Sequence, residues 1–209
     1  HGVVCKRRSS KTMEIDIPII ISAILILGNA YFSAAELAVV SARKMHLEKA
    51  LEEGDKRAQA ALDLAADTDA LFATVQVYVV LLALFASAIS ATALSGPLSR
   101  WLNSFNIEGL SAISGPLATV LITLIVSYFM IVVGRVFPKR IGWANAESVS
   151  LAFAPSLKVF KIIATPLVKL TAASSDLLAT IFKVGSAKDY SVVSEEEIRV
   201  IVADTAELL

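Results

Sequence analysis

PLATVLITLIVSYFMIVVGRVFPKR, residues 116–140, decides how this chain folds. From residue 117 to residue 133 no side chain is charged, and Leu, Ile, Val and Phe dominate. Gly134, Arg135 and Pro138 follow, and the stretch closes on Lys139-Arg140. A helix crosses the hydrocarbon core of a bilayer in about 20 residues, so the run is long enough to span one. Pro138 has no N–H to donate and its ring crowds the preceding turn, so the helix is expected to kink or open around residues 134–138. Backbone groups freed inside lipid need partners from protein or from a water-filled cavity. A membrane helix broken near one end is where ions and polar substrates tend to be held.

Composition agrees with a membrane setting. Of 209 residues, 56% are hydrophobic and only 18% are charged, against roughly 25% charged in soluble domains. Mean hydropathy is +0.70. Lys and Arg number 19 and Asp and Glu number 19, a balance that gives no reason to expect nucleic acid. Cys5 is the single cysteine, which excludes an internal disulfide and a thiolate metal site. His1 and His46 stand in no recognisable zinc spacing. No nucleophile–base pairing or cofactor motif emerges around Ser33, Glu36 or the histidines, so an enzyme is not expected.

Outward from the central stretch, the chain divides as follows. Residues 1–12, HGVVCKRRSSKT, are polar and basic, and Met13 reads as the native start, so they are set aside from fold reasoning. Residues 13–184 read as a transmembrane domain. Its first span lies within 15–42, with Pro18 suited to a first helical turn. Asn29, Ser33 and Glu36 are spaced by four and three and share one helix face. A carboxylate in such an apolar run is costly, so Glu36 should face protein, water or a partner rather than lipid.

Residues 43–69 are alternately charged and read as a solvated helical hairpin broken at Gly54-Asp55, with His46 in no special role. Glu52 and Lys56, and Glu53 and Arg57, have the spacing of helical ion pairs. Residues 71–94 form the second span, with Ala83, Ala86, Ala88 and Ala91 permitting close packing. Ser95-Gly96-Pro97 reads as a turn, and residues 99–114, with Trp101 and Phe105, as an interfacial segment. Beyond the third span, Pro155 and Pro166 interrupt the apolar pattern and Lys158, Lys161 and Lys169 punctuate it. Amphipathic helices along the membrane surface fit this better than a fourth span. Residues 185–209 read as a linker and the start of a cytoplasmic helix, with Ser194 and Glu197 as a capping box, leading to a further soluble domain.

The expected fold is therefore all-α, with three transmembrane helices, a cytoplasmic hairpin and juxtamembrane helices. Basic residues cluster in the first loop (Arg43, Lys44, Lys49, Lys56, Arg57) and after the third span (Lys139, Arg140, Lys158, Lys161, Lys169), whereas the second loop holds Arg100 alone. Positive-inside then puts the hairpin and the C-terminus in the cytoplasm and Met13-Glu14 outside.

Three motifs in order carry a family resemblance: Phe32-Ser33-Ala34-Ala35-Glu36, Ala73-Thr74-Val75-Gln76-Val77, and Gly134-x-x-x-Pro138-Lys139-Arg140. With the hairpin LEKALEEGDKRAQAAL and the late Val193-Ser194-Glu195-Glu196-Glu197-Ile198, they resemble the transmembrane domain of the CorC/CNNM magnesium-transport proteins, also called domain of unknown function 21. The resemblance implies Mg2+ transport across the plasma (bacterial inner) membrane, a homodimer, Na+ as coupling ion, and a following pair of CBS domains. It implies a dehydrated Mg2+ held by Ser33, by polar groups of span two such as Thr74, and by the glycine and glutamate of a Gly-Glu-x-x-Pro-Lys motif. Glu36 joins this candidate ligand set. Hard oxygen ligands suit Mg2+, which takes about six at ~2.0–2.1 Å.

The chain departs from that pattern at the glutamate, where Arg135 stands. Tyr78 and Val80 stand where relatives usually have glycine and threonine. An arginine cannot ligate a cation, so the Mg2+ site is expected to be impaired. Arg135 itself reads either as an interfacial side chain snorkelling beside Lys139 and Arg140 or as a tethered cation in the vacated site, paired with Glu36. Glu36 could equally be a structural hydrogen-bonding residue, and Ser33 could bond back to its own helix. The alternative to transport is a membrane anchor that regulates attached soluble domains.

Overall fold

A computed structural model describes residues 2–105 and 109–182, with side chains from residue 16 onward. Every regular element among the described residues is helical. In chain order these are α1 (Gly2–Ser41), α2 (Lys44–Glu52), α3 (Arg57–Ala66), α4 (Thr68–Asn103), α5 (Leu110–Ile131), a π-helical turn (Val132–Val136), α6 (Phe137–Ala144) and α7 (Ala146–Ile181). The expected linker and capping box at 185–209 lie outside the described residues.

The chain divides into two compact units, His1–Thr165 and Pro166–Leu209. The packing described below belongs to the first. The described part of the second is the remainder of α7, residues 166–181, and Phe182.

Four helical stretches are long and apolar enough to cross a membrane: Asp16–Ser41, Thr68–Asn103, Leu110–Ala144 and Ala146–Ile181. The chain is thus a multi-pass helical membrane protein. The fourth stretch corrects the expectation that Pro155 and Pro166 would split the segment, since both lie inside α7. Pro97, read from sequence as part of a turn, lies inside α4. The physical reason is shared. A true turn in apolar surroundings strands several backbone groups, whereas a proline within a continuing helix removes only one hydrogen bond. Near Pro155 the Phe153 carbonyl also gains side-chain donors, from Ser156 Oγ at 2.9 Å and Tyr31 Oη at 3.4 Å.

In the first unit α1 packs against α4, the π-turn and α6, and α4 packs against α5. α6 and α1 approach closely at Gly142, where an added Cβ would lie 2.3 Å from the Ala34 carbonyl oxygen. A core of Ala35, Val39, Leu47, Leu64, Val75 and Leu157 joins α1, the α2–α3 hairpin, α4 and α7. Elsewhere the large apolar side chains face outward, among them Leu84, Phe85, Leu124 and Ile125, as expected when the solvent is lipid.

The hairpin breaks where expected, at Gly54, whose φ of +95° is the left-handed conformation glycine favours. That break removes the register for the Glu52–Lys56 and Glu53–Arg57 pairs. The pairs formed instead are Lys44–Glu48 (3.5 Å) within α2, Lys49–Glu53 (3.8 Å) at its C-terminal end, and Arg57–Asp55 (2.8 Å) at the turn. His46, given no role from sequence, bonds Glu147 at the start of α7. Lys158 meets Asp63 at 2.6 Å and Lys161 meets Asp67 at 2.7 Å. Lysine hydrogen bonds hold both aspartates below the usual carboxylate range. Asp67 also caps α4, accepting from the Ala70 N–H at 3.3 Å.

Candidate functional site

Pro138 lies four residues after Gly134, so the bond that its N–H would have made in an α-helix is the one to the Gly134 carbonyl. The chain resolves this locally as a π-turn, with the Phe137 N–H reaching back to the Val132 carbonyl. A π-turn inside a membrane helix is a recognised way to absorb such a break.

The Gly134 carbonyl is then taken by α1. Asn29 Nδ2 and Ser33 Oγ each donate to it at 3.0 Å. Asn29 and Ser33 are 1% exposed and Gly134 is buried. The approach is close: a Cβ at residue 134 would sit 2.9 Å from Asn29 Nδ2 and 3.0 Å from Met130 Sδ, so those side chains would have to shift. Asn29 Oδ1 is buried with no hydrogen-bond partner. An orphaned acceptor in a dry interior is costly, and such groups tend to mark function.

One turn further along the same face of α1, Glu36 pairs with Lys139 at 2.9 Å, the two side chains 12% and 30% exposed. In the other direction Ser22 Oγ and Ser90 Oγ lie 2.7 Å apart, both buried. A seam of polar residues thus runs along α1, each bonded across to α4 or to the broken helix.

The residues singled out from sequence fall into two groups. Ser33 and Gly134 come together in one hydrogen-bonded unit, at the carbonyl that Pro138 leaves free, and Glu36 lies beside it. Thr74 is buried on α4, and its hydroxyl donates to the Ala70 carbonyl of its own helix at 2.7 Å. Arg135 is half-buried and has no ion-pair partner among the described residues; the carboxylate of Glu36 goes to Lys139 instead. Tyr78 turns toward α7, where its hydroxyl donates to the Phe160 carbonyl at 3.1 Å and its ring stacks on Phe32 at 4.5 Å. Val80 is 43% exposed, on an outer face of α4. Of the three departures counted together from sequence, only Arg135 therefore adjoins the Gly134 unit. Asn29 and Lys139 were not among the site residues read from sequence. The signal for Asn29 was its spacing with Ser33 and Glu36. Lys139 reads from sequence as part of the basic end and of the third motif, with no ligand or pairing role. No cluster of three or more His, Cys, Asp or Glu that could hold a metal occurs among the described residues.

Comparison with known proteins bears on this arrangement. Residues 20–208 match the family described as cyclin M transmembrane N-terminal domain (CNNM). A UPF0053 protein of Synechocystis (sll0260) is 32% identical over 88% of this chain and 40% of its own length. The UPF0053 protein YugS of Bacillus subtilis is 30% identical over 90% of this chain and 44% of its own. A Haemophilus influenzae relative named polyamine export protein is 26% identical over 91% of this chain and 44% of its own. The chain spans less than half the length of each of these relatives. With the match covering most of its residues, the chain belongs to the cyclin M (CNNM) transmembrane-domain family.

Proposed function

We propose that this chain is the membrane domain of a cation transporter, in which the seam between α1 and the broken α5–α6 helix holds the cargo in passage. The carrying observation is the buried unit of Asn29, Ser33 and Gly134, with an unpartnered acceptor at Asn29 Oδ1. Hydroxyl, amide and carbonyl oxygens inside an apolar bundle can replace part of a cation's water shell. Mg2+ is the cargo that the family resemblance supports. Because Arg135 stands where that resemblance has a glutamate, Mg2+ binding is weak, and Arg135→Glu strengthens it. The name of the Haemophilus relative adds polyamines to the cations worth assaying.

In this reading α1, α4 and α5–α6 cross the plasma (bacterial inner) membrane. The first part of α7 lies along the surface, because Lys158 and Lys161 pair with carboxylates of the water-facing hairpin. The hairpin and C-terminus are cytoplasmic by the distribution of Lys and Arg. The protein works as a homodimer, with Na+ as coupling ion.

A non-transporting membrane anchor is the second reading. It draws support from the Gly134 carbonyl, which already accepts two internal donors, and from Arg135. Flux into proteoliposomes carrying a Mg2+ indicator separates the two, with spermidine uptake measured in parallel. Transport predicts cation entry that Ser33→Ala and Asn29→Leu reduce. Entry no faster than in empty liposomes, for both cations, refutes transport.

A further inference from the structure

We infer that Glu36 and Lys139 form an exchangeable pair: the Lys139 ammonium holds the Glu36 carboxylate, and a cation in passage takes its place there. This rests on the transport reading above and names the residue that competes with the cargo. Glu36 lies on the same face of α1 as Asn29 and Ser33, one turn past Ser33. Lys139 follows Gly134 by five residues on the broken helix. The ion pair and the Gly134 hydrogen bonds therefore bridge the same two elements.

Charge narrows the roles. Glu36 supplies the carboxylate of this seam, while Asn29 and Ser33 supply neutral oxygens and Arg135 supplies none. A cation leaving the neutral oxygens for a carboxylate meets Glu36 next, and meets it already neutralised. Lysine suits an exchange. Its ammonium is a compact point charge on a flexible stem, not a planar fork locked in two bonds. At 30% side-chain exposure Lys139 has a route outward, whereas Glu36 at 12% stays in place. Apparent cation affinity is then set by competition with a tethered ammonium, and removing that ammonium should raise it.

The test uses the chain purified in detergent, with MgCl2 as probe. Isothermal titration compares the unaltered chain with Lys139→Gln and with the Glu36→Gln/Lys139→Gln double variant. Lys139→Gln should bind Mg2+ at least tenfold more tightly, and the double variant should lose that gain. Should Lys139→Gln not fold, the unaltered chain answers alone. Acetylation of Lys139 by an amine-reactive ester, read by mass spectrometry, should rise severalfold in saturating MgCl2 but not in choline chloride of equal ionic strength, with exposed Lys44 as internal reference. Measurable Mg2+ binding with equal affinity in Lys139→Gln, or with Lys139 acetylation unchanged, overturns the exchange while leaving transport standing. Absence of Mg2+ binding in every variant, together with absence of Mg2+ flux, overturns both.

Discussion

Gly142→Ala adds one methyl group where α6 runs close against the α1 backbone. The new Cβ would lie 2.3 Å from the Ala34 carbonyl oxygen, 3.1 Å from its carbon and 3.2 Å from its Cα. All three are backbone atoms of α1, so no side chain can rotate away, and α6 must withdraw. Overpacking costs about 1–3 kcal/mol, and a contact against backbone belongs at the upper end. Alanine returns about 1 kcal/mol through helix propensity, leaving a net loss of about 2 kcal/mol by the same two terms. For a chain of this size that lowers the melting temperature by about 4–8 °C. Gly28→Ala is the control. Its Cβ would meet only Leu82, at 3.5 Å, an ordinary van der Waals contact, so the propensity gain dominates, worth about 2–4 °C upward. Thermal unfolding in one detergent, followed by circular dichroism, reads both variants. If Gly142→Ala melts no lower than the unaltered chain, the α1–α6 packing described above is wrong.

Further expectations concern the polar contacts. Lys139→Met leaves the half-buried Glu36 carboxylate unpaired and should cost about 1–3 kcal/mol, below the figure for a fully buried pair, most of which the Glu36→Leu/Lys139→Met double variant recovers; chemical unfolding of the singles and the double checks this. Tyr78→Phe removes the hydrogen bond to the Phe160 carbonyl but keeps the stack on Phe32, so a loss of about 1 kcal/mol is expected from the same unfolding measurement. Asp63 and Asp67 have folded-state pKa values lowered by their lysine partners. Their contribution is therefore present above the ordinary carboxylate pKa of about 4 and is lost as pH falls through the lowered values. The melting temperature should hold from neutral pH to about 5 and fall below about 4, and Asp63→Asn/Asp67→Asn should remove part of that fall.

Much of the helical plan was legible because apolar runs and helix breaks are local signals. The break near Pro138 could be read from one residue, since a missing N–H strands a definite carbonyl four residues back. The hairpin turn could be read from Gly54 for a similar reason. Continuity of α4 through Pro97 and of α7 through Pro155 and Pro166 could not, because the surroundings decide whether a proline ends a helix or merely bends it. At the candidate site, the shared face of Asn29, Ser33 and Glu36 followed from spacing. Pairing across the bundle did not. That Glu36 meets Lys139 rather than Arg135 depends on the rotation the π-turn imposes, and that Val80 faces outward depends on how α4 is rolled against α1. Neither angle is written in the sequence near those residues.

Whether the carbonyl of Gly134 is held by α1 can be measured directly. Gly134-Arg135 is the only Gly-Arg pair in the chain. Carbon-13 at glycine carbonyls and nitrogen-15 at arginine therefore yield a single carbon–nitrogen resonance in solid-state NMR of the protein in lipid, that of the Gly134 carbonyl. Ser33→Ala and Asn29→Leu should each move that carbonyl shift toward the value of a less hydrogen-bonded group, while Ser114→Ala leaves it alone. A resonance that stays put in both α1 variants would contradict the account at its centre.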